Sequence, residues 1–331
     1  MSQTSITRHC SKILALAALT LLTPTATVFA QPFPSKPLEF IVHTSPGGGT
    51  DVFARAVSEM LTREKLITQP ILVANRVGGG GAIAFNYMKS KRGDPYTVLT
   101  VATGSLLSAA ARSELVLGLE HYTLLAFFAM DPQVISVAAD SKFKTFKELI
   151  DAGRREPNSM TMSVTTSLGV SRHLLYLIDR ETGAKFKYVA FKGGSEAVTA
   201  VAGGHVQFTA ENLSEMMGHV ESKRLRVLAV TGERRLPAVP DAPTLLELGF
   251  PMMVLGTGRG FAMPAGVPKE AAAAMEATLR KFHQTPAWKE FAARNMYEEK
   301  FLGSAEFADY MQKRSGELRE FLLAVGAIQK P

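Results

Sequence analysis

Short apolar runs alternate with glycine-rich turns and amphipathic stretches along most of this chain. The clearest unit is residues 38–60, LEFIVHTSPGGGTDVFARAVSEM. Phe40, Ile41 and Val42 predict a buried strand, and Pro46-Gly47-Gly48-Gly49 a tight turn. Thr50 and Asp51 predict the start of a helix whose apolar face carries Val52, Ala56, Val57, Met60 and Leu61. The first amides of such a helix lack backbone partners and sit at the positive end of its dipole. Glycines let a guest approach them, so a small anion is the expected guest.

The same pattern recurs. Ile71 to Ala74 predicts a strand that leads through glycines 78–81 to a helix carrying Ile83, Phe85, Tyr87 and Met88. Tyr96 to Val101 predicts another strand, ending at Ala102-Thr103-Gly104-Ser105 before a helical stretch. Met160 to Val164 leads through Thr165 to Gly169 into a helix with His173, Leu174, Leu177 and Ile178. Lys187 to Phe191 is closed by Lys192-Gly193-Gly194, where Ser195 is placed to cap the next helix. Strands alternating with helices predict α/β architecture with parallel sheets and right-handed crossovers, and ligands at the carboxyl ends of the strands. Val134 to Ala139 and Arg226 to Val230 are apolar strands flanking a central block. Beyond Thr231 come Pro237, Pro240, Pro243 and Pro251, then helical stretches near 268–283, 286–296 and 304–325. This predicts two α/β lobes joined by two crossing segments: 31–131 with 232–331 as the first, and 132–231 as the second.

The N-terminus changes the compartment. Arg8 and Lys12 precede an apolar stretch from Ile13 to Leu22, and Val28-Phe29-Ala30 stands ahead of Gln31. That anatomy predicts a signal peptide, residues 1–30, cleaved near Ala30, and hence an exported protein. The apolar stretch is too short for a membrane span. The one cysteine, Cys10, falls within the signal, so no disulfide or thiol chemistry is expected of the mature chain. Removing Arg8 and Lys12 lowers the formal charge from +7 to +5, with 35 basic against 30 acidic residues. The basic clusters at Lys223 to Arg226 and Glu233 to Arg235 lack interleaved aromatics, so they read as solvated surface rather than a nucleic-acid platform.

Signs of catalysis are missing from the motifs. The histidines beyond the signal are scattered with no metal-ligand spacing, and no G-x-S-x-G or G-K-[ST] occurs. Gly78 and Gly80 match the start of G-x-G-x-x-G, but Ile83 holds the third glycine's place. No catalytic residue, metal or cofactor is therefore expected. Asp51 reads as a cap, since a carboxylate in the first helical turn stabilises that turn and would repel an anion. His173 is open between donating to a carboxylate and being a buried, internally bonded histidine. Lys192 could supply a charge or be a solvated strand end, and Arg76 reads as a loop brace.

Pro34-Ser35-Lys36-Pro37, Pro46 to Asp51 and Val73-Ala74-Asn75-Arg76-Val77-Gly78 with Gly80-Gly81 form part of an ordered set. It continues with Asp94 to Leu99, Arg172-His173-Leu174, Phe191-Lys192-Gly193, Glu211-Asn212, Leu225 to Thr231 and Leu236 to Pro243. The set resembles the solute-binding proteins of tripartite tricarboxylate transporters, the Bug family, across essentially the whole mature chain. The resemblance implies a two-lobe fold of the type II periplasmic binding protein kind, each lobe a mainly parallel sheet flanked by helices. In such a Venus flytrap the ligand cleft lies between the lobes. It implies a periplasmic monomer that captures a small organic carboxylate, either a di- or tricarboxylate or an aromatic one, and hands it to a two-component membrane permease. A sensor working with a membrane kinase would use the same closure, and a secreted α/β enzyme could use the same loops.

Carried over by position, the resemblance implies a carboxylate held by amides, hydroxyls and waters rather than an arginine clamp. Its residues are Ser45, Pro46, Gly48 and Gly49 on the first loop, and Thr103 and Ser105 on another. From the second lobe come Gly169, Ser171, His173, Phe191, Lys192, Gly193, Glu211 and Asn212. Ser45 replaces a usual proline, Leu168 sits in a usual G-N-G turn, Phe191 replaces tyrosine and Glu211 replaces aspartate. These departures fit a ligand with an apolar body and one carboxylate slightly better than a tricarboxylate.

Overall fold

The computed structural model describes residues 33–110, 118–165, 167–252, 254 and 256–328. The signal-peptide reading of residues 1–30, Cys10 included, lies outside them. In chain order the first lobe opens with β1 (Leu38–Val42), α1 (Gly49–Arg63), β2 (Ile71–Asn75), α2 (Ala82–Ser90), β3 (Thr97–Ala102), α3 (Thr103–Ala110) and β4 (Tyr122–Asp131). The second lobe has β5 (Gln133–Ala138), α4 (Phe146–Arg155), β6 (Thr161–Val164), α5 (Val170–Thr182) and β7 (Lys187–Ala190). It continues with α6 (Gly194–Ala202), β8 (Phe208–Asn212), α7 (Leu213–Glu221) and β9 (Leu225–Val230). The chain then returns to the first sheet with β10 (Thr257–Pro264), α8 (Lys269–His283), α9 (Pro286–Arg294), β11 (Glu298–Gly303) and α10 (Ser304–Ala324).

The strand orders are β11-β4-β10-β3-β1-β2 and β7-β6-β8-β5-β9. Pairs joined through helical crossovers, β1 with β2 and β3, and β6 with β7 and β8, are parallel. β10 against β3 and β4, β11 against β4, and β5 against β8 and β9 are antiparallel. Each sheet thus keeps a parallel half, where the expected βα turns gather, beside an antiparallel half that the strand-helix alternation did not announce.

Each sheet is buried between two apolar layers. Phe53, Val57 and Leu61 of α1 pack with Trp288 of α9 and Phe282 of α8 on one face of the first sheet. Phe307, Met311 and Phe321 of α10 cover its other face with Phe85 and Leu106. The α1 face is therefore rotated from expectation: Phe53 leads it at i, i+4 and i+8, and Val52 is 42% exposed. In the second lobe, Phe146, Leu149 and Ile178 pack on one face of the sheet, with Val198, Val201 and Met216 on the other. Residues 236–254 also belong to these second-lobe layers, through Leu236, Val239, Leu245, Met252 and Val254. A parallel bridge between Val230 and Thr244 holds that proline-rich segment beside β9. After that segment the chain next enters the six-stranded sheet at β10.

The lobes are joined at Pro132, between β4 and β5, and again before β10. Gly256 there has φ of +98°, and a Cβ on it would lie 2.3 Å from the Asp131 carbonyl oxygen, so the two crossings touch through backbone. Among the described residues no helix is long and apolar enough to cross a membrane.

Candidate ligand-binding cleft

The first glycine turn is braced by Asp51, but not as an N-cap: Gly48 holds that place without a side-chain cap, and Thr50 and Asp51 lie inside the first helical turn. Gly47 N–H donates to Asp51 Oδ2 at 2.9 Å, and Asn75 Nδ2 donates to Asp51 Oδ1 at 2.8 Å. Arg55 Nε completes the set at 3.0 Å. Burial pushes the Asp51 carboxyl up, but Arg55, the Gly47 amide and Asn75 outweigh it and hold it below its usual range. Asp51 is thus a structural anion that shapes the loop. Arg76 is likewise a brace: it donates to Glu39 and stacks on the Tyr87 ring at 3.5 Å.

This turn faces the second lobe. Ser195 Oγ at the start of α6 donates to the Gly47 carbonyl at 2.8 Å, and a Cβ on Gly193 would stand 4.0 Å from the Gly48 Cα. Gly48, Gly193 and Ser195 therefore meet across the cleft mouth, with Ser45 half-buried and Pro46 exposed beside them. Below them lies an inner cavity of about 50 Å³ lined from both lobes. Of the expected residues it gathers Gly49, Ser105, Gly169, Ser171, Glu211 and Asn212. Phe191 and Lys192 line a larger outer chamber of about 610 Å³, opposite the glycine turn 78–81, with Val77, Leu168 and Ala190 as its apolar wall. The two spaces share His43, Thr44 and Thr165.

Two expected residues lie elsewhere. His173 stacks on the Phe321 ring of α10 at 4.8 Å, facing Arg314 and Glu317. Burial, reinforced by Arg314 and Arg180, holds its imidazole down at about 4. Its ring is half-buried and packed on α10, outside the inner cavity. Thr103 lines the same small space, and its Oγ1 accepts from the Gly258 amide at 3.0 Å. Asn212 does reach the cleft but is spent on the crossing. Its Nδ2 donates to the Asp131 carbonyl at 2.7 Å, and its Oδ1 accepts from Thr257 Oγ1 at 3.0 Å.

The cleft floor holds charges that motif reading missed. Arg259 of β10, 1% exposed, donates to Asp131 Oδ2 at 2.5 Å and to Thr50 Oγ1 at 3.0 Å. Despite its burial, the facing Asp131 carboxylate keeps the guanidinium firmly charged. Glu215 of α7 lies 3.7 Å from the same guanidinium, its side chain 9% exposed. Its Oε1 lies where a Cβ on Gly49 would come within 2.4 Å, and its Oε2 where one on Gly194 would come within 2.1 Å. Glu215 thus fills the space between the N-termini of α1 and α6; burial pushes its carboxyl up, helped by Asp131 and opposed by Arg259 and by the Gly49 and Ser195 amides. The spot that the sequence assigns to a guest anion is held by the protein's own acid.

Glu211, at the end of β8, accepts from Ser171 Oγ at 2.8 Å. Burial first, and then repulsion from Glu215, push its carboxyl up to about 8, against hydrogen bonds from Thr165 and Ser171. His43, buried beside Arg259, is held at about 4 and is neutral at physiological pH. Among the described residues no group of three histidines, cysteines or acids is placed to hold a metal. Arg259 left one legible sign, a cation between two glycines in GRG. Gly258 and Gly260 are required because Cβ atoms there would lie 2.4 Å from the Phe127 ring and 2.5 Å from the Ala126 carbonyl.

Comparison with known proteins agrees with this architecture. Protein BugT of Bordetella pertussis is 29% identical over 264 residues, covering 78% of this chain and 80% of BugT. MatC of Rhodopseudomonas palustris, solved with bound malate, superposes with a TM-score of 0.80 at 20% identity, over 87% of this chain and 99% of that one. A second R. palustris protein, solved with adipate, gives 0.81 at 22% identity, over 89% and 98%. Residues 53–325 match the model of the tripartite tricarboxylate transporter family receptor, TctC, and the chain belongs to that family.

Proposed function

We propose that this protein is a periplasmic receptor that captures a small organic carboxylate between its lobes and passes it to a two-component permease of the tripartite type. In this reading it acts as a monomer after removal of its signal near Ala30. The observation that carries the proposal is the double cavity, lined from both lobes at the ends of parallel strands and helix N-termini. Family membership and the carboxylates bound by MatC and its R. palustris relative support the ligand class. We assign residues 33–131 and 257–328 to the lobe bearing the first glycine turn, and 132–254 to the other.

The apolar wall of the outer chamber suits a carbon skeleton, while Lys192 and the glycine turn 78–81 suit a carboxylate at its rim. Closure adds contacts that exist only when the lobes meet, such as Ser195 to Gly47. Ser195→Ala should therefore weaken binding about fivefold, through loss of one hydrogen bond worth about 1 kcal/mol, with little change in stability. Native mass spectrometry of the purified protein should find a retained acid, and calorimetry across a carboxylate panel should find one that rebinds. A panel without heat or thermal shift would defeat the reading.

A further inference from the structure

Glu215 stands where the cleft attracts an anion most strongly. Its carboxyl is reached by the Gly49 amide of the first lobe and the Ser195 amide of the second, each in the first turn of a helix. The Arg259 guanidinium of the first lobe lies 3.7 Å from its Oε1. Two helix N-termini and an arginine converging on one point form the donor set that suits a carboxylate. Glu215 reaches this seat from α7 of the second lobe, so a single side chain bridges the lobes. The seat is full, since a Cβ on Gly49 or Gly194 would already strike its oxygens at 2.4 and 2.1 Å. Arg259 Nε is buried beside it without a partner. A further carboxylate drawn to that nitrogen would nevertheless meet Glu215 and Asp131, the latter at 2.5 Å from the same guanidinium. The neighbouring Glu211 shows what added negative charge costs here, because burial and then Glu215 push its carboxyl up to about 8. Next to the filled seat only about 50 Å³ remains, against about 610 Å³ in the outer chamber.

We propose that Glu215 is a tethered substitute for a ligand carboxylate: it occupies the anion seat between the lobes from within the protein and restricts the receptor to acids with one carboxylate. This rests on the carboxylate-receptor reading, with that one carboxylate in the outer chamber near Lys192 and the rest of the ligand along Val77, Leu168 and Phe191. Glu215 is then the specificity-determining residue. A dicarboxylate that turns its second carboxylate inward has to displace Glu215 or lie against its charge, and both disfavour it.

Calorimetry of the wild type with acids paired by chain length tests this: valerate against glutarate, and hexanoate against adipate. The better monocarboxylate should bind about tenfold or more tightly than its dicarboxylate partner. Glu215→Ala should empty the seat and raise dicarboxylate affinity about tenfold or more over the wild type, whereas Glu215→Gln, which keeps the seat filled, should gain little. Acetate matches the part of the side chain that Glu215→Ala removes. At equal ionic strength it should raise the Tm of that variant more than the wild type's, and more than acetamide or chloride does. Dicarboxylates that bind the wild type as tightly as monocarboxylates would overturn the tethered carboxylate and leave the carboxylate receptor standing. An acetate response no larger in Glu215→Ala than in the wild type would overturn it too. Silence from all four acids, with acetate still rescuing the variant, would defeat the receptor reading and uphold Glu215 as the occupant of the seat. The wild-type pairs decide the matter even where Glu215→Ala does not fold.

Discussion

Arg259→Met should destabilise the protein by about 3–5 kcal/mol, because it strands buried acids without a counter-charge. In a chain of this size that is a drop in Tm of roughly 5–8 °C. Asp131 is fully buried at the lobe crossing, with Arg259 at 2.5 Å, and Glu215 lies 3.7 Å from the same nitrogen. Removing the cation costs more than the pair's net worth, since the surviving carboxylates keep their desolvation penalty. Arg259→Met combined with Asp131→Leu should recover a large part of the loss, because one stranded acid is gone. Arg259→Lys should fall between, keeping charge but losing the fork that spans Thr50 and Asp131. Denaturant titration of the four proteins measures this. A single-variant loss below about 1 kcal/mol would mean that water already reaches these charges.

The second large effect is a loss of stability on the alkaline side of neutrality. Glu211 is pushed from 4.5 up to about 8 in the folded protein, chiefly by burial and then by Glu215. Between those values the folded chain holds a proton that the unfolded chain has released. The stability this contributes is complete below pH 4.5 and falls as pH rises toward 8. His43 and His173, lowered from 6.5 to about 4, act in the opposite sense. Their contribution is complete above pH 6.5 and is lost as pH falls through 4. The terms oppose one another in mild acid. Between pH 6.5 and 8 these histidines are silent and the carboxyls act alone, with Glu215 raised in the same direction. The unfolding free energy should therefore fall by about 2 kcal/mol across that interval, and Glu211→Gln should flatten most of the slope. Chemical denaturation at a series of pH values decides it. An unchanged slope in Glu211→Gln would assign the proton elsewhere.

Much of the parallel half of each sheet was legible from local pattern. The stretch around β1 and α1 is an apolar strand, a glycine turn and a periodic helix within 26 residues, Leu38 to Arg63, so its elements depend on neighbours in sequence. The turn at 192–194 and the helix after it were readable for the same reason. β10 was not. Its TGRGFAMP carries two glycines and a buried arginine, a poor strand pattern taken alone. It is a central strand because Phe127 and the β4 backbone need the space that glycine leaves, and because Asp131 waits across the ladder for Arg259. Which layers the proline-rich segment after Thr231 joins was hidden for a similar reason. Prolines mark a change of chain direction, but only packing of Leu236, Val239 and Leu245 says which lobe they leave.

The cleft divides in the same way. The glycine turns, and Ser105, Gly169, Ser171 and Glu211 beside the cavity, were readable because family pattern and helix starts mark them position by position. Glu215 reads in sequence as an ordinary acid in the first turn of a helix, where a carboxylate is usually solvated. Its meaning comes from 44 positions on, where Arg259 stands, and from Gly49 and Gly194 on opposite lobes. Sequence by itself determined the elements, the family and the kind of loop that lines the cleft, because these follow from short-range pattern and backbone chemistry. Only the tertiary structure decided which charges are buried together. Burial and charge pairing arise between segments far apart in the chain, and they alone determine which charged groups the deepest part of the cleft presents.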